Sequence, residues 1–143
     1  MKRYAFVMAI LTISLISLIG CATFNDYKAK TSDEEEIKAS FIKFWEQYNN
    51  KNAEGVLSFF HKDAKIMTGK ERNVLSKQEY SELLPKRFKS PINFRKGSPK
   101  MMVNGDKAVV KIPYSASDIN LNLLVEYELV KENGHWYIMS TKY

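Results

Sequence analysis

Few residues of this chain combine a type and a spacing suited to chemistry. Its only cysteine, Cys21, closes the run Leu18-Ile19-Gly20-Cys21, and a thiol can take a covalent group. The two histidines are His61 and His135. His61 stands two residues before Asp63, close enough for a carboxylate to hold the imidazole as a general base. The plainer reading makes His61 a loop residue just after a helix, where the helix C-terminus favours its positive form. His135 follows a hairpin glycine and reads as a turn residue. No set of His, Cys, Asp and Glu has metal-ligand spacing, and no glycine-rich loop could cradle a phosphate. Neither a metal nor a cofactor is expected.

The context of Cys21 says where the chain works. Lys2 and Arg3 precede sixteen mostly apolar residues, 4–19, and a small residue, Gly20, then leads to the cysteine. Basic start, apolar run and small residue form the layout of a secretory signal. The ending resembles the lipobox of bacterial lipoproteins. That resemblance implies diacylglyceryl transfer to Cys21, cleavage before it and N-acylation. Residues 1–20 are then a lipoprotein signal peptide, and 21–31 a polar, lipid-anchored tether. A membrane-crossing helix fits less well, because sixteen residues at ~1.5 Å each fall short of the ~30 Å hydrocarbon core. Simple secretion stays open, since Gly20 stands two residues before Ala22 as an ordinary cleavage site requires. Two or more acyl chains hold a protein durably on a bilayer, whereas one does so only marginally. The expected location is the extracytoplasmic cell envelope, and with Ala22 rather than aspartate after the cysteine, the outer membrane of a two-membrane host.

The mature chain suits one domain, residues 32–143. The 22 basic and 16 acidic residues give +6, which falls to +4 without Lys2 and Arg3. Aromatic content of 13 % supports a packed core and argues against disorder.

Helical periodicity comes first along that domain. Ser32 is expected to cap a helix, with Glu35 completing a capping box, and Ile37, Phe41, Phe44, Trp45 and Tyr48 share one face. Asn52 caps a short second helix bearing Ala53, Val56, Leu57 and Phe60. Residues 63–68 read as a strand stopped by Gly69. A third helix starts at Ser76 with Glu79 in its capping box, and Pro85 is expected to end or kink it near Leu84. After Pro91 the pattern is an antiparallel meander. Asn104-Gly105 and Asn133-Gly134 are expected to form type I′ hairpins. From Ile119 onward, odd positions through Leu129 are apolar and even ones largely polar. Helices followed by a curved antiparallel sheet define an α+β domain.

The aromatic helix ending Tyr48-Asn49, the helical turn at 55–60, Asp63-Ala64-Lys65-Ile66 and the closing run at 133–138 together resemble the nuclear transport factor 2-like, SnoaL-like superfamily. The resemblance covers residues 32–143. It implies a cone-shaped α+β fold in which a sheet wraps the first helix and leaves an apolar pocket, with dimers through the sheet's outer face. Matched to the steroid isomerase branch, Thr68 takes the place of the aspartate base and Phe44 that of the tyrosine donor. A threonine hydroxyl is not basic near neutrality, and phenylalanine has no proton to give. The second acid falls near Glu126, which strand alternation sends to the polar face.

Within that cone, Phe41, Phe44, Trp45, Tyr48, Phe60, Tyr114 and Met139 are the expected pocket wall. The segment between Glu82 and Asp106 carries Lys86, Arg87, Lys89, Arg95, Lys96 and Lys100 and no acid. It reads as a solvated face or, with a lipid nearby, as an anionic-headgroup surface. Nucleic acid is not an expected partner. The resulting reading is a lipid-anchored binding or accessory module for a small apolar ligand or an envelope protein. The alternatives are a lyase, isomerase or hydrolase using His61 and Asp63, and a purely structural interaction protein.

Overall fold

The computed structural model describes residues 22–143. The helices are α1 (Ser32–Asn49), α2 (Ala53–Leu57) and α3 (Lys77–Lys89). The strands are β1 (Phe60–Thr68), β2 (Asn73–Ser76), β3 (Arg95–Lys96), β4 (Lys100–Asn104), β5 (Lys107–Ala116), β6 (Leu121–Glu132) and β7 (His135–Lys142). They form one seven-stranded sheet in the order β2-β1-β7-β6-β5-β3, with β4 also paired to β5. All pairs are antiparallel except β1 with β7, a parallel contact that an all-antiparallel meander did not include.

The alternation expected of β6, and the same alternation along β5, place Val110, Ile112, Tyr114, Tyr127 and Leu129 under the helices. The α1 stripe meets them: Phe41 lies 4.9 Å from Tyr127 and Phe44 5.8 Å from Phe60, both edge-on. Glu126 is on the opposite face, 3.6 Å from Lys111 and 3.4 Å from Lys142. Met139 is the extra residue of a β7 bulge between the pairs Leu129–Ile138 and Glu128–Ser140.

Several local expectations are corrected. Thr31, not Ser32, caps α1, its side chain accepting from the Glu34 N–H. The Asn133-Gly134 turn has positive φ at both residues, as type I′ requires. At the other hairpin Asn104 pairs with Lys107, so Gly105-Asp106 forms the turn, and positive φ falls on Gly105 alone, which suits type II′. Strand β1 starts at Phe60 rather than Asp63, and Ile119 sits half-exposed in a 3-10 turn, Ser117–Ile119, before β6 begins. Helix α3 runs through Pro85. The proline removes one hydrogen bond, yet Leu84 and Phe88 on either side are both buried, and Phe88 packs 5.3 Å from Tyr48. Burial of those side chains offsets the lost bond and carries the helix four residues past the proline.

The stretch expected to be a tether is docked instead. Phe24, in a 3-10 turn (Phe24–Asp26), is 2 % exposed and its ring lies 4.6 Å from Trp45 and 6.0 Å from Phe41. Thr23 forms an isolated bridge with Gly97. Lys38 Nζ donates to the carbonyls of Asn25 (3.0 Å) and Tyr27 (2.6 Å). The Glu34 carboxylate accepts from the Lys30 N–H and the Tyr27 hydroxyl, each at 2.8 Å. Those donors hold its pKa below the ordinary carboxylate value, the Lys30 N–H most of all, while the Tyr27 phenol is pushed up to about 12, chiefly by burial.

Candidate functional site

Cys21 and residues 1–20 lie outside the described residues, so the acylation expectation is carried by sequence alone.

The histidine candidates are described fully. His61 is 8 % exposed, on the outer face of the sheet beside Tyr137, whose neighbours Trp136 and Ile138 point the other way into the core. Its Nδ1 accepts the Asp63 backbone N–H at 3.1 Å, so the ring proton is on Nε2, which donates to Glu132 at 2.9 Å. The Asp63 carboxylate is solvent-exposed and 3.8 Å from Nδ1. Both ring nitrogens are thus occupied, Nδ1 within β1 and Nε2 at the β6–β7 end of the sheet. The structure does bring His61 and Asp63 together, but on the face away from the aromatic core. His135 is exposed at the same hairpin.

The seven expected pocket residues divide. Phe41, Phe44, Trp45, Tyr48, Phe60 and Tyr114 pack against one another or their neighbours as a continuous aromatic layer, and Met139 is at the bulge. Within that layer is a polar chain that periodicity did not reveal. The Trp45 Nε1–H donates to the Tyr114 hydroxyl at 3.2 Å, and the hydroxyls of Tyr114 and Tyr127 are 2.6 Å apart. Burial raises both phenol pKa values well above 10. Both tyrosines are on the inward face, Tyr127 opposite Val110 and Tyr114 opposite Leu123, four residues along, so only these long side chains bring the two hydroxyls together.

None of the seven lines the cavity at the turn that joins β5 to β6. That cavity, about 430 Å³, is bordered by Asn93, Phe94, Arg95, Ser115, Ala116, Ser117, Asn120, Leu121 and Asn122. Phe94 forms its inner wall, edge-on to Tyr114 at 5.7 Å. Short β3 pairs Arg95 with Ser115, which brings the arginine to this rim. Asn120 has φ +48, the left-handed geometry that turns the chain from the 3-10 turn into β6. The cluster of small polar residues at 115–122 was the available sequence signal.

The six basic residues do not act alike. Lys86, Arg87 and Lys89 occupy the last turn of α3, where cations complement the helix dipole. Arg87 lies over the Tyr80 ring at 5.8 Å, and Lys96 over Trp45 at 5.3 Å. Burial lowers the Lys96 pKa. Arg95 and Lys100 are exposed. Among the described residues, no group of three or more His, Cys, Asp or Glu is placed to hold a metal ion.

Helices packed on one face of an open, curved sheet constitute the nuclear transport factor 2-like fold. No protein-family model matches the chain, and no curated protein does. Solved structures match it at low identity. An NTF2-like protein of unknown function from Shewanella baltica OS155 is 14 % identical, with TM-score 0.62 over 80 % of this chain and 94 % of its own. An NTF2-like protein from Cytophaga hutchinsonii is 12 % identical, with TM-score 0.62 over 78 % and 96 %. A protein of unknown function with a cystatin-like fold from Nostoc punctiforme is 16 % identical, with TM-score 0.64 over 80 % and 92 %. Such identities establish the architecture and leave the chemistry to the site.

Proposed function

We propose that this chain is a lipid-anchored binding module of the cell envelope, held through acylated Cys21 and taking a small amphiphilic molecule in the cavity rimmed by Arg95. One observation carries the binding half of this reading. Among the nine residues lining the cavity, only Arg95 carries a charge, and a guanidinium does not give up its proton near neutrality. Amides, hydroxyls and one fixed cation can orient a ligand, with Phe94 and Leu121 against its apolar part, but they include no general base. The His61–Asp63 pair lies on the other face of the sheet and does not join this lining. The anchoring half rests on Lys2, Arg3, the apolar run and Gly20-Cys21.

The expected result in native mass spectrometry of the full chain, purified in detergent from membranes, is a non-covalent small-molecule adduct. Arg95→Gln is expected to reduce its occupancy at least tenfold, with the circular dichroism of the fold unchanged. A wild-type chain that carries no adduct and gains none from envelope lipid extract contradicts the binding reading.

A further inference from the structure

The docking of residues 23–27 has a geometric consequence for a chain anchored at Cys21. Thr23 is fixed to Gly97 by its bridge and to Asp26 by two hydrogen bonds, from its N–H at 2.7 Å and its hydroxyl at 2.8 Å. Gly97 is fixed in turn, its N–H donating to the Pro113 carbonyl at 2.8 Å. The approach is so close that a Cβ at Gly97 would meet Pro113 Cγ at 2.6 Å. From Cys21 to Thr23 the chain can span at most about 7 Å. An acyl group on Cys21 therefore enters the bilayer directly beside the β3 edge of the sheet, not at the end of a long leash.

We infer that the membrane-facing surface of this protein is the strap formed by residues 91–98, resting on a phospholipid bilayer. The inference depends on the anchoring proposed above and adds an orientation to it. The strap's composition matches an interfacial surface. Ile92 is 43 % exposed, Arg95 and Ser98 are exposed, and no acid occurs between Glu82 and Asp106. An apolar side chain can enter the headgroup boundary while nearby basic residues meet anionic headgroups at about 1 kcal/mol each. The acid nearest the anchor in sequence, Asp26, has its carboxylate taken up by the Thr23 N–H and hydroxyl. The same strap supplies Asn93, Phe94 and Arg95 to the cavity, so this orientation sets the cavity rim against the lipid surface, where amphiphilic molecules are concentrated. The sheet order puts β2 on the opposite edge, five strand spacings or roughly 24 Å away along the sheet. Val74 on β2 is 55 % exposed and marks the side that faces water.

The test places single cysteines in the otherwise intact chain at Ile92, Ser98 or Val74, with each protein reconstituted into vesicles of phosphatidylcholine and phosphatidylglycerol. Acylated Cys21 has no free thiol, so an environment-sensitive fluorophore reacts only at the added cysteine. Labels at I92C and S98C are expected to be quenched by headgroup-nitroxide lipid at least threefold more than the label at V74C. Equal quenching at the three positions, or greater quenching at V74C, overturns the orientation while leaving the anchor standing. A chain whose mass shows no acyl group, and whose Cys21 takes up the label itself, overturns the anchor and the orientation together. Protection of Ile92 and Ser98 by a second copy of the chain, seen as a cross-linked dimer with no nitroxide quenching, also overturns it.

Discussion

Replacing Phe24 with alanine should destabilise the folded chain by about 3 kcal/mol, at the lower end of what buried phenylalanine truncations cost. The ring is 2 % exposed and meets Trp45 and Phe41 edge-on, so its removal leaves a cavity against two aromatic faces of α1. Thermal unfolding of the full chain is expected to fall on the order of 10 °C. Phe24→Leu, which fills most of the space, should recover more than half of that. Trp45 emission should also shift red in the alanine form as the indole gains water. A change below 2 °C for Phe24→Ala would show that residues 23–27 are not part of the folded unit. It would also remove the short connection on which the membrane orientation depends.

The second large effect is expected at the buried hydroxyl chain. Tyr114 is its middle member, accepting from Trp45 and sharing a hydrogen bond with Tyr127. Tyr114→Phe leaves the buried Tyr127 hydroxyl and the half-buried Trp45 indole N–H without their partner, at about 2–3 kcal/mol, whereas Tyr127→Phe removes one bond from Tyr114 and costs about 1–2 kcal/mol. Urea unfolding of the two variants gives the order directly, and a smaller loss for Tyr114→Phe would contradict the arrangement. Alkaline pH provides the linked measurement. Burial, the leading cause, raises both folded phenols above their unfolded value of 10.0. Their stabilising contribution is therefore complete below pH 10 and declines above it, as unfolded phenols release protons that the folded ones retain. Tyr80, pushed up to about 12 by its burial, adds to the same limb. The double variant, with phenylalanine at 114 and 127, should lose stability above pH 10 less steeply than the parent chain.

How far the architecture could be read in advance differs from element to element. Long periodic segments are legible because burial enforces their period: Ile37, Phe41 and Phe44 on α1, and Leu123, Val125, Tyr127 and Leu129 on β6, pack into the core as expected. Features that depend on a distant partner are not. β2 and β3 are four and two residues long, too short for alternation, and exist because β1 and β5 pair with them. Pro85 argued locally for a helix end, and Phe88 overrode it by packing on Tyr48. Residues 22–31 looked unpatterned because one phenylalanine, not a periodic stripe, docks them.

The candidate site was legible only in part, for the same reason. Phe41, Trp45 and Tyr114 were recognised as neighbours inside the cone, yet aromatic type alone cannot distinguish a ring that lines a cavity from one that fills it. By sequence Arg95 is one charge in a basic run, and its place on the cavity rim follows from two residues of pairing with β5. The two-residue spacing of His61 and Asp63 does bring them within 3.8 Å. Their face of the sheet depends on the pairing of β1 beside β7, which sequence spacing does not encode. Cys21 is the reverse case: its expected acylation rests on Lys2, Arg3 and the apolar run alone, with no contribution from the fold.

The most direct measurement on the whole account is the intact mass of the chain recovered from the membrane fraction of a bacterial host, beside its Cys21→Ser variant. The account predicts a product starting at residue 21, heavier by a diacylglyceryl group and an N-acyl chain, and a serine variant that is neither acylated nor retained on membranes. A chain of unmodified mass, or a serine variant held on membranes as firmly as the parent, would contradict it.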